Sequence, residues 1–352
     1  MTERPISWDE IFEKLTEKQN LSDLQINWAM SQILDGLANN DQIKNFLLLL
    51  KAKGEKPSEV RALVDVMYQR GIAINIAERA VDIVGTGGDG ASTINISTTA
   101  AIITTAAGAR TIKHGNRAAS SKSGAADLLE ALGIDISLGA EQIQECVRRI
   151  GIGFAFAPVF HPAMKNAASA RRELATPTVF NILGPLANPA KPKAVAIGVA
   201  RAELLELVAT VLAERGCEGF IFRGDDGLDE ISLSTTSTIF QINNGEITRH
   251  IFDPSELGLE RVGIEELRGG SPGENADITR AIFAGRGGAY RQAVLLNAAA
   301  AIAAFKADFH LGLTQQLANG YTLAKQAVDS GAAAQLVERW ANLSTELAKS
   351  SL

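Results

Sequence analysis

The first 78 residues place their apolar side chains at helical spacing only. In the segment 6–15, Ser7 is suited to cap a helix, and acidic residues stand in the first turn. A later helix is predicted to end at Gly54, and the next is predicted to begin at Pro57. Because no strand pattern occurs here, residues 1–78 are predicted to form a small helical domain.

The pattern changes at Val81, where short apolar runs begin to alternate with helical segments. Strands are predicted at 80–84, 110–113, 134–138, 153–157, 194–199 and 219–222. Helices are predicted at 93–107, 123–132, 140–150 and 161–174, and again up to about 215. Such alternation indicates a sheet with substantial parallel character. Residues 225–251 are predicted to form strands and turns with a hairpin at 243–245, and the chain from Asn275 onward is predicted to be mainly helical.

Composition narrows the class of protein. Hydrophobic residues make up 46% of the 352 residues and charged residues 21%, which is typical of a globular chain. A net charge of −6 with only 5% aromatic residues argues against a protein that coats nucleic acid. The N-terminus lacks the apolar core of a signal peptide, the longest apolar run (293–305) is too short to span a bilayer, and Cys146 and Cys217 fit neither a disulfide framework nor a metal site. We therefore expect a soluble cytoplasmic protein.

A glycine-rich turn at 85–90, GTGGDG, separates a predicted strand from a predicted helix. Glycines let the backbone approach a ligand, and a helix start offers free N–H groups, so such a turn suits phosphate. The hydroxyl-rich segment 92–98 strengthens this interpretation over a turn without a ligand. The turn also matches the dinucleotide fingerprint G-x-G-x-x-G, but that site needs an acid about 20 residues later, where the chain has Lys113 and His114. An NADP-type site stays open as an alternative.

A second polar segment, KHGNRAASS at 113–121, follows the next predicted strand. Lys113 and Arg117 supply positive charge, and Ser120 and Ser121 supply hydroxyl groups. Two phosphate-suited loops at neighbouring strand ends predict a ligand with several phosphates. A surface loop with scattered charges is the alternative.

Adjacent carboxylates occur at Asp229 and Glu230, after a glycine turn. Such neighbours repel each other unless a cation or water intervenes, and magnesium prefers carboxylate and phosphate oxygens. An exposed acidic turn would explain this segment taken alone, but the two phosphate-suited loops favour a metal.

A fourth set lies at 161–189, where His161 and Arg171 share one helical face by their spacing. The planar fork of Arg171 suits a carboxylate, although a surface or ion-paired arginine is the simpler interpretation of that residue alone.

Taken together, six motifs are similar to those of the anthranilate phosphoribosyltransferases. In order they are GTGGDG (85–90), NIST (95–98), KHGNRAASS (113–121), HPAMKN (161–166) followed by Arg171, NILGPLANP (181–189) and GLDE (227–230). The resemblance runs from about residue 6 to 345.

The resemblance implies an α/β fold, with a small all-helical domain joined to a larger α/β domain that has a central, mostly parallel sheet of the nucleoside phosphorylase/phosphoribosyltransferase type. The helical domain would comprise 1–78 with about 165–188, and the α/β domain 79–164 and 189–352. It also implies transfer of a phosphoribosyl group from phosphoribosyl pyrophosphate to anthranilate, a step of tryptophan biosynthesis, by a homodimer that uses Mg²⁺.

Site residues follow from the same resemblance. The donor would be bound by Gly85, Gly88, Asp89, Thr93, Asn95, Ile96, Ser97, Thr98, Lys113, Gly115, Asn116, Arg117, Ala118, Ala119, Ser120, Ser121 and Ala125. The anthranilate pocket would comprise Gly85, His114, Asn116, His161, Arg171 and Pro185, and the metal ions on the pyrophosphate would be assisted by Ser97, Asp229 and Glu230. Lys113, His114, Asn116 and Arg171 are the residues expected to support catalysis.

One segment departs from the family pattern R-x-x-L-G-x-R-T. Here Ala175 replaces the glycine and Pro177 the second arginine, so substrate preference or rate could differ. Ala125, where serine is often found, is a milder change.

Three other functions compete with this one. A pyrimidine nucleoside phosphorylase is disfavoured by the intact GLDE segment. A non-catalytic, nucleic-acid-binding relative is disfavoured by the net negative charge and the retained acids. An oxidoreductase would bind NADP(H) at the first glycine turn.

Overall fold

The computed structural model describes residues 5–118 and 122–350. Its N-terminal part contains four helices: α1 (Trp8–Thr16), α2 (Asp23–Leu34), α3 (Asn40–Lys53) and α4 (Pro57–Arg70). Ser7 caps α1 by accepting a hydrogen bond from the backbone N–H of Glu10, and Gly54 ends α3. These features confirm the helical start of the chain and its predicted stops.

A single seven-stranded sheet forms the centre of the rest of the chain. Its strands are β1 (Val81–Gly85), β2 (Thr111–Gly115), β3 (Ile152–Phe156), β4 (Ala194–Gly198), β5 (Glu218–Gly224), β6 (Ser237–Asn243) and β7 (Glu246–Phe252). The spatial order is β3-β2-β1-β4-β5-β6-β7, with β1 to β5 parallel and β6 and β7 antiparallel to their neighbours. The strand order reverses direction at β1, and in such sheets ligands bind in the crevice beyond the carboxyl ends at that point.

Helices surround the sheet. They are α5 (Ile96–Ala106), α6 (Ala125–Ala131), α7 (Ala140–Ile150), α8 (Ala157–Phe160), α9 (Ala168–Leu174), α10 (Phe180–Leu186), α11 (Ala202–Glu214), α12 (Pro272–Phe283), α13 (Ala289–Lys306), α14 (Leu313–Asp329) and α15 (Ala332–Lys349). Short 3₁₀ turns occupy Pro162–Ala167, Pro254–Leu257 and Ile264–Leu267. In the described ranges, no helix is both long and apolar enough to cross a membrane.

Two apolar cores lie on opposite faces of the sheet. In β4, Ala194 and Ala196 belong to one core, which also contains residues of α5, α13 and α15, whereas Val195 and Ile197 belong to the other. The second core includes α11, α1 to α4 and residues of α9 and α10. The α/β fold with a helical part and a mostly parallel sheet is thus confirmed. The exact domain limits stay a prediction, which the packing of α9 and α10 against the N-terminal helices supports.

Three sequence-based elements differ from the structure. The helix predicted at 161–174 is divided into the 3₁₀ turn Pro162–Ala167 and α9, with His161 before both, so His161 and Arg171 do not share one helical face. Residues 134–138 form no strand: Ile134, Ile136 and Leu138 are buried in alternation, but the segment pairs with no strand of the described sheet. The prediction was wrong because alternating burial alone does not provide a hydrogen-bonding partner. The helix expected from residue 93 begins at Ile96, because Thr93 instead forms a bridge with Arg268. The predicted hairpin is confirmed, with Asn244 and Gly245 at φ 51° and 82° between β6 and β7.

Candidate active site

The strands β1 and β4 each end in a glycine that lies against the loop 224–230, which we call the acidic loop. A β-carbon at Gly85, the last residue of β1, would lie 2.2 Å from Asp229 Oδ2. One at Gly198, the last residue of β4, would lie 1.7 Å from the Asp229 carbonyl oxygen. Since real β-carbons do not approach other atoms so closely, Gly198 must be glycine, and a β-carbon at Gly85 would displace the Asp229 carboxylate. The sequence therefore places residue 229 directly over the switch point of the sheet.

Asp229 and Glu230 are both buried there. The Gly87 N–H donates to Asp229 Oδ2 at 2.6 Å, and the Ser97 N–H, in the first turn of α5, favours the charged form of Glu230. Burial, reinforced by the nearby Asp89 carboxylate, raises the pKa of Asp229 to about 7. Burial and Asp229 raise the pKa of Glu230 well above its usual range. The two buried carboxylates thus lie side by side without enough positive charge nearby to balance both of them.

Lys113 is the buried cation beside this pair. Its Nζ donates to the carbonyl of Ile83 at 2.5 Å and to Ser97 Oγ at 3.2 Å. Burial lowers the pKa of Lys113, while the carboxylates of Asp82, Glu230 and Asp229 oppose that shift. The ammonium group is thus fixed between the ends of β1, β2 and α5.

The acidic loop is held by residues that sequence reasoning missed. Asp226 accepts hydrogen bonds from the hydroxyls of Ser232, at 2.5 Å, and of Ser234. Asn297, fully buried on α13, accepts from the Ile231 N–H at 2.9 Å and donates to the Ile231 carbonyl at 3.2 Å. Asn297 interrupts the longest apolar run of the chain, and a lone amide in such a run was the available signal.

Asp82 was also missed. It is a buried carboxylate within β1, whose Oδ2 accepts from Asn188 Nδ2 at 2.8 Å and whose Oδ1 accepts weakly from the His114 N–H at 3.4 Å. Asn188 Nδ2 also donates to the Ile112 carbonyl at 2.9 Å. Burial raises the pKa of Asp82 to about 6, against the lowering effect of Lys113. A charged residue in the apolar run 81–84 was the signal in the sequence.

The segment before α5 is fixed by amide side chains. Asn95 Oδ1 accepts from Asn275 Nδ2 at 2.8 Å and from Ser123 Oγ at 3.0 Å, while its Nδ2 donates to the Ser123 carbonyl at 3.0 Å. Asn95 therefore connects three segments of chain. The neighbouring Ile96 and Thr98 are buried, so their backbone groups are what a ligand would meet.

The second polar loop is partly outside the described residues, since Ala119, Ser120 and Ser121 lie beyond them. Arg117 is half-exposed and pairs with Glu130 and Asp127, at 2.5 Å and 2.9 Å, so its charge is already balanced. The Ala118 N–H donates to Asp127 as well, at 3.0 Å. Asn116 is exposed, Gly115 ends β2 and Ala125 begins α6.

Two histidine rings lie 5.2 Å apart, edge to face, on the other side of the site. His114 Nδ1 is 2.7 Å from the Gly184 carbonyl of α10, and His161 Nε2 is 2.8 Å from the Ala187 carbonyl. Burial lowers the pKa of both rings, that of His114 to about 3, so both are neutral at pH 7. The buried Nε2 of His114 has no hydrogen-bond partner among the described residues.

Arg171 lies on α9 as an exposed residue, with its guanidinium carbon 6.0 Å from the centre of the Phe180 ring. It forms no ion pair or hydrogen bond with the residues that the structure describes. Helix α9 ends at Ala175, whose backbone is left-handed (φ 47°), and Pro185 lies inside α10.

The segment 175–177, which differs from the family pattern, lies close to the glycine turn. Pro177 and Asn181 line a narrow cleft together with Gly87 and Gly88. The change from arginine to proline therefore lies at the cleft itself.

A metal would need ligands beyond those of the protein. Among residues 5–118 and 122–350, no group of three His, Cys, Asp or Glu side chains is placed to hold an ion. Asp229, Glu230 and the Ser97 hydroxyl are nevertheless the hard oxygen donors that suit magnesium. These residues fit an ion whose remaining ligands come from phosphate and water.

Comparison with known proteins gives matches over most of the chain. The family model described as glycosyl transferase family, a/b domain, matches residues 77–334, and that described as glycosyl transferase family, helical bundle domain, matches 9–71. The anthranilate phosphoribosyltransferase of Rhodococcus jostii (strain RHA1) is 50% identical over 98% of this chain and 95% of its own length. The solved anthranilate phosphoribosyltransferase of Thermus thermophilus has a TM-score of 0.88 at 36% identity, covering 95% of this chain and 99% of that one. The Saccharomyces cerevisiae enzyme, in complex with PRPP and Mg, has a TM-score of 0.87 at 27% identity, covering 96% and 98%.

Proposed function

The chain belongs to the anthranilate phosphoribosyltransferase family, and from that premise we propose how its residues carry out the family's reaction. The enzyme transfers the phosphoribosyl group of phosphoribosyl pyrophosphate to the amine of anthranilate, giving N-(5-phosphoribosyl)anthranilate and pyrophosphate, a step of tryptophan biosynthesis. The observation that carries the assignment of residues is the burial of Lys113, Asp229 and Glu230 together, beside the glycine turn at the carboxyl ends of β1, β2 and β4.

The donor binds along the glycine turn. The turn 85–89, Thr93, the segment 95–98 and the loop 113–121 surround its phosphates, and Lys113 supplies the buried positive charge. Supporting this, Gly87 and Gly88 are exposed, and the segment before α5 is fixed by the Asn95 hydrogen bonds to Ser123 and Asn275. An exposed glycine backbone beside a fixed segment of chain suits a ligand that is held through its phosphates.

Ser97, Asp229 and Glu230 would hold a magnesium ion on the protein side of the pyrophosphate. The two raised pKa values support this: burial raises them, repulsion between carboxylates adds to the shift, and a bound cation would favour the charged form of both acids. When bound, the ion neutralises negative charge on the pyrophosphate.

The acceptor occupies the side of the site formed by Gly85, His114, Asn116, His161, Arg171 and Pro185. Arg171 receives the carboxylate, which is supported by its lack of any other acceptor among the described residues. Asn116 orients the amine. The unpartnered Nε2 of His114 supports a polar group of the substrate close to that ring.

In the reaction, the amine nitrogen forms a bond to the anomeric carbon while the bond from that carbon to the pyrophosphate oxygen breaks. The electron pair leaves with pyrophosphate, where Lys113 stabilises it. The nitrogen, which carries a positive charge once the bond has formed, then releases a proton to water. Because an N-alkylated anilinium ion is acidic, no dedicated base is assigned. Alignment of the two reactants supplies a large share of the rate enhancement.

The loss of anthranilate fluorescence tests this function. Purified protein, magnesium and phosphoribosyl pyrophosphate are mixed with anthranilate, and each component is omitted in turn. We expect fluorescence loss only when all are present. If no fluorescence is lost although the donor still binds, anthranilate is not the acceptor. The segment 175–177 would then be the first place to look for the cause.

We also propose that the enzyme is a cytoplasmic homodimer, as the resemblance implies. Light scattering on the purified chain tests the assembly: a mass of twice 37.3 kDa supports it, and a mass of 37.3 kDa contradicts it.

A further inference from the structure

A cavity of about 340 Å³ lies away from the active site, at the amino ends of β4 and β5. Its walls come from α4, from residues 185–195 and from residues 212–217; we call it the basal cavity. Its volume is at the lower end of the range for small-molecule sites. Asp82 and Asn188 also line it, so it reaches the polar network beneath His114.

The lining of the basal cavity is basic although the whole chain has a net charge of −6. Arg61, Lys191, Lys193 and Arg215 line it, against two acids, Asp65 and Asp82. Fixed positive charge at a concave surface with low-dielectric walls concentrates anions. The remaining wall is largely apolar, with Tyr68, Pro185, Leu186, Val195 and Leu212.

The basic residues differ in how well they are paired. Arg215 pairs with Asp65 at 2.7 Å, Lys193 with Glu218 at 2.9 Å, and Arg61 with two acids. Lys191 forms no ion pair with any described residue.

Instead, the Nζ of Lys191 lies 4.5 Å from the centre of the Tyr68 ring, and the guanidinium carbon of Arg215 lies 4.7 Å from it. The Tyr68 hydroxyl is used, because it donates to the Leu186 carbonyl at 3.1 Å. The backbone of Lys191 is left-handed (φ 48°) and is fixed by its N–H, which donates to the Asn188 carbonyl at 2.9 Å. An ammonium group held over an aromatic ring, at the rim of a cavity that has one apolar wall, is suited to receive a carboxylate attached to a flat apolar body.

We propose that the basal cavity is a second binding site, for a small aromatic carboxylate. Lys191 receives the carboxylate, and the ring lies against the apolar wall formed by Pro185, Leu186, Val195 and Leu212. The site is distinct from the acceptor pocket, since its walls include none of the residues assigned to that pocket except Pro185.

The probe is 4-fluorobenzoate, followed by ¹⁹F NMR on the full chain, because it lacks the amine and cannot react. The titration is made in wild-type protein and in Arg171→Ala, which removes the acceptor pocket's own carboxylate contact. We expect binding to persist in Arg171→Ala. In that background, Lys191→Met should weaken the remaining binding by about tenfold or more, and Lys191→Glu further, as loss of a charge-assisted contact predicts. Lys193→Met, which removes a neighbouring cation that is already paired, should change it by less than about threefold.

Three outcomes would overturn the proposal: no binding in Arg171→Ala, equal effects of the Lys191 and Lys193 substitutions, or complete displacement of the probe by an equimolar amount of inorganic phosphate. Turnover of Lys191→Met at saturating substrates should equal that of wild type, which shows that the variant is folded. A failure of the proposed transferase reaction would leave these binding results unchanged, so the two proposals are judged separately.

Discussion

The donor side and the acceptor side of the active site are built differently. On the donor side, Lys113, Asp229 and Glu230 are buried, and each has a hydrogen bond to fixed backbone. On the acceptor side, Arg171 is exposed and unpaired among the described residues, and His114 keeps a buried nitrogen without a partner there. The donor side is thus assembled before any ligand arrives, whereas the acceptor side is completed by its substrate. Loss of a donor-side group should therefore affect both rate and stability, and loss of Arg171 only acceptor binding.

The largest effect is expected from the double variant Asp229→Asn/Glu230→Gln. Removing both metal-suited carboxylates should lower kcat/KM at limiting magnesium by about 10³-fold, or about 4 kcal/mol of transition-state stabilisation. Steady-state kinetics against magnesium concentration measure this. Asp225→Asn is the matched control, since Asp225 is an exposed acid on the same loop. Wild-type turnover in the double variant would show the metal assignment to be wrong.

A pH dependence of stability should reveal the cost of the buried carboxylate. The pKa of Asp229 is raised to about 7 in the folded chain, so the folded state holds that proton more tightly than the unfolded state does. The stability that this difference in pKa provides is complete below about pH 4 and is lost as pH rises to about 7, by roughly 4 kcal/mol. Denaturant unfolding of wild type and Asp229→Asn without magnesium, from pH 4 to 8, gives the difference. The variant should gain on wild type as pH rises; parallel curves would contradict the burial argument.

Arg171→Ala should sharpen the contrast between the two sides. We expect the KM for anthranilate to rise about 100-fold, roughly 2.7 kcal/mol, because a charge-assisted, two-pronged contact is lost. The KM for phosphoribosyl pyrophosphate should change little. Arg172→Ala, an exposed neighbour on the same helix, serves as control. Equal effects on both substrates would refute a carboxylate role for Arg171.

Asp82→Ala tests the network beneath the site. The change removes the carboxylate that accepts hydrogen bonds from two buried donors, the amide of Asn188 and the N–H of His114. The unfolding free energy should therefore fall by about 2 kcal/mol. Asp82→Asn retains an acceptor oxygen and should cost less. Denaturant unfolding measures both, with the exposed, helix-surface change Asp277→Ala as control. Equal stability of Asp82→Ala and wild type would mean that the network does not stabilise the fold.

The smallest effect on stability is expected in the segment 175–177, which differs from the family pattern. Ala175 has the left-handed backbone that disfavours side chains, so Ala175→Gly should raise the unfolding free energy by about 0.5–1 kcal/mol. Ala170→Gly, in the interior of the same helix, should instead lower it by about 1 kcal/mol or more. Thermal unfolding distinguishes the two. A destabilised Ala175→Gly would show that the left-handed backbone at this position is not a source of strain.

The sequence predicted most of the fold because its signals are local. Ser7, Gly54, Pro57 and the hairpin at 243–245 each act within a few residues, and each was confirmed. The segment 134–138 failed because a strand also needs a partner, which no short window contains. The start of α5 was misplaced for the same reason, since Arg268 holds Thr93 from far along the chain.

The candidate site was predictable in its motifs but not in its supports. Lys113, Asp229 and Glu230 were identified from loops at strand ends, and the structure brings them together. Asn297 holds the acidic loop from 66 residues away, and Asp82 reaches Asn188 over 106 residues. No spacing rule relates such pairs, so the sequence offered only a polar residue in an apolar run as a hint.

Gly85 and Gly198 have a consequence for anyone who wishes to redesign this enzyme. At these two strand ends the sheet offers only backbone to the active site, so the choice of substrate is set by the loops above it. Exchanging loops on the acceptor side should leave the scaffold intact, as the sheet need not be repacked. A methyl group at either glycine would instead displace Asp229 or its carboxylate, and with it the pair of acids suited to a metal.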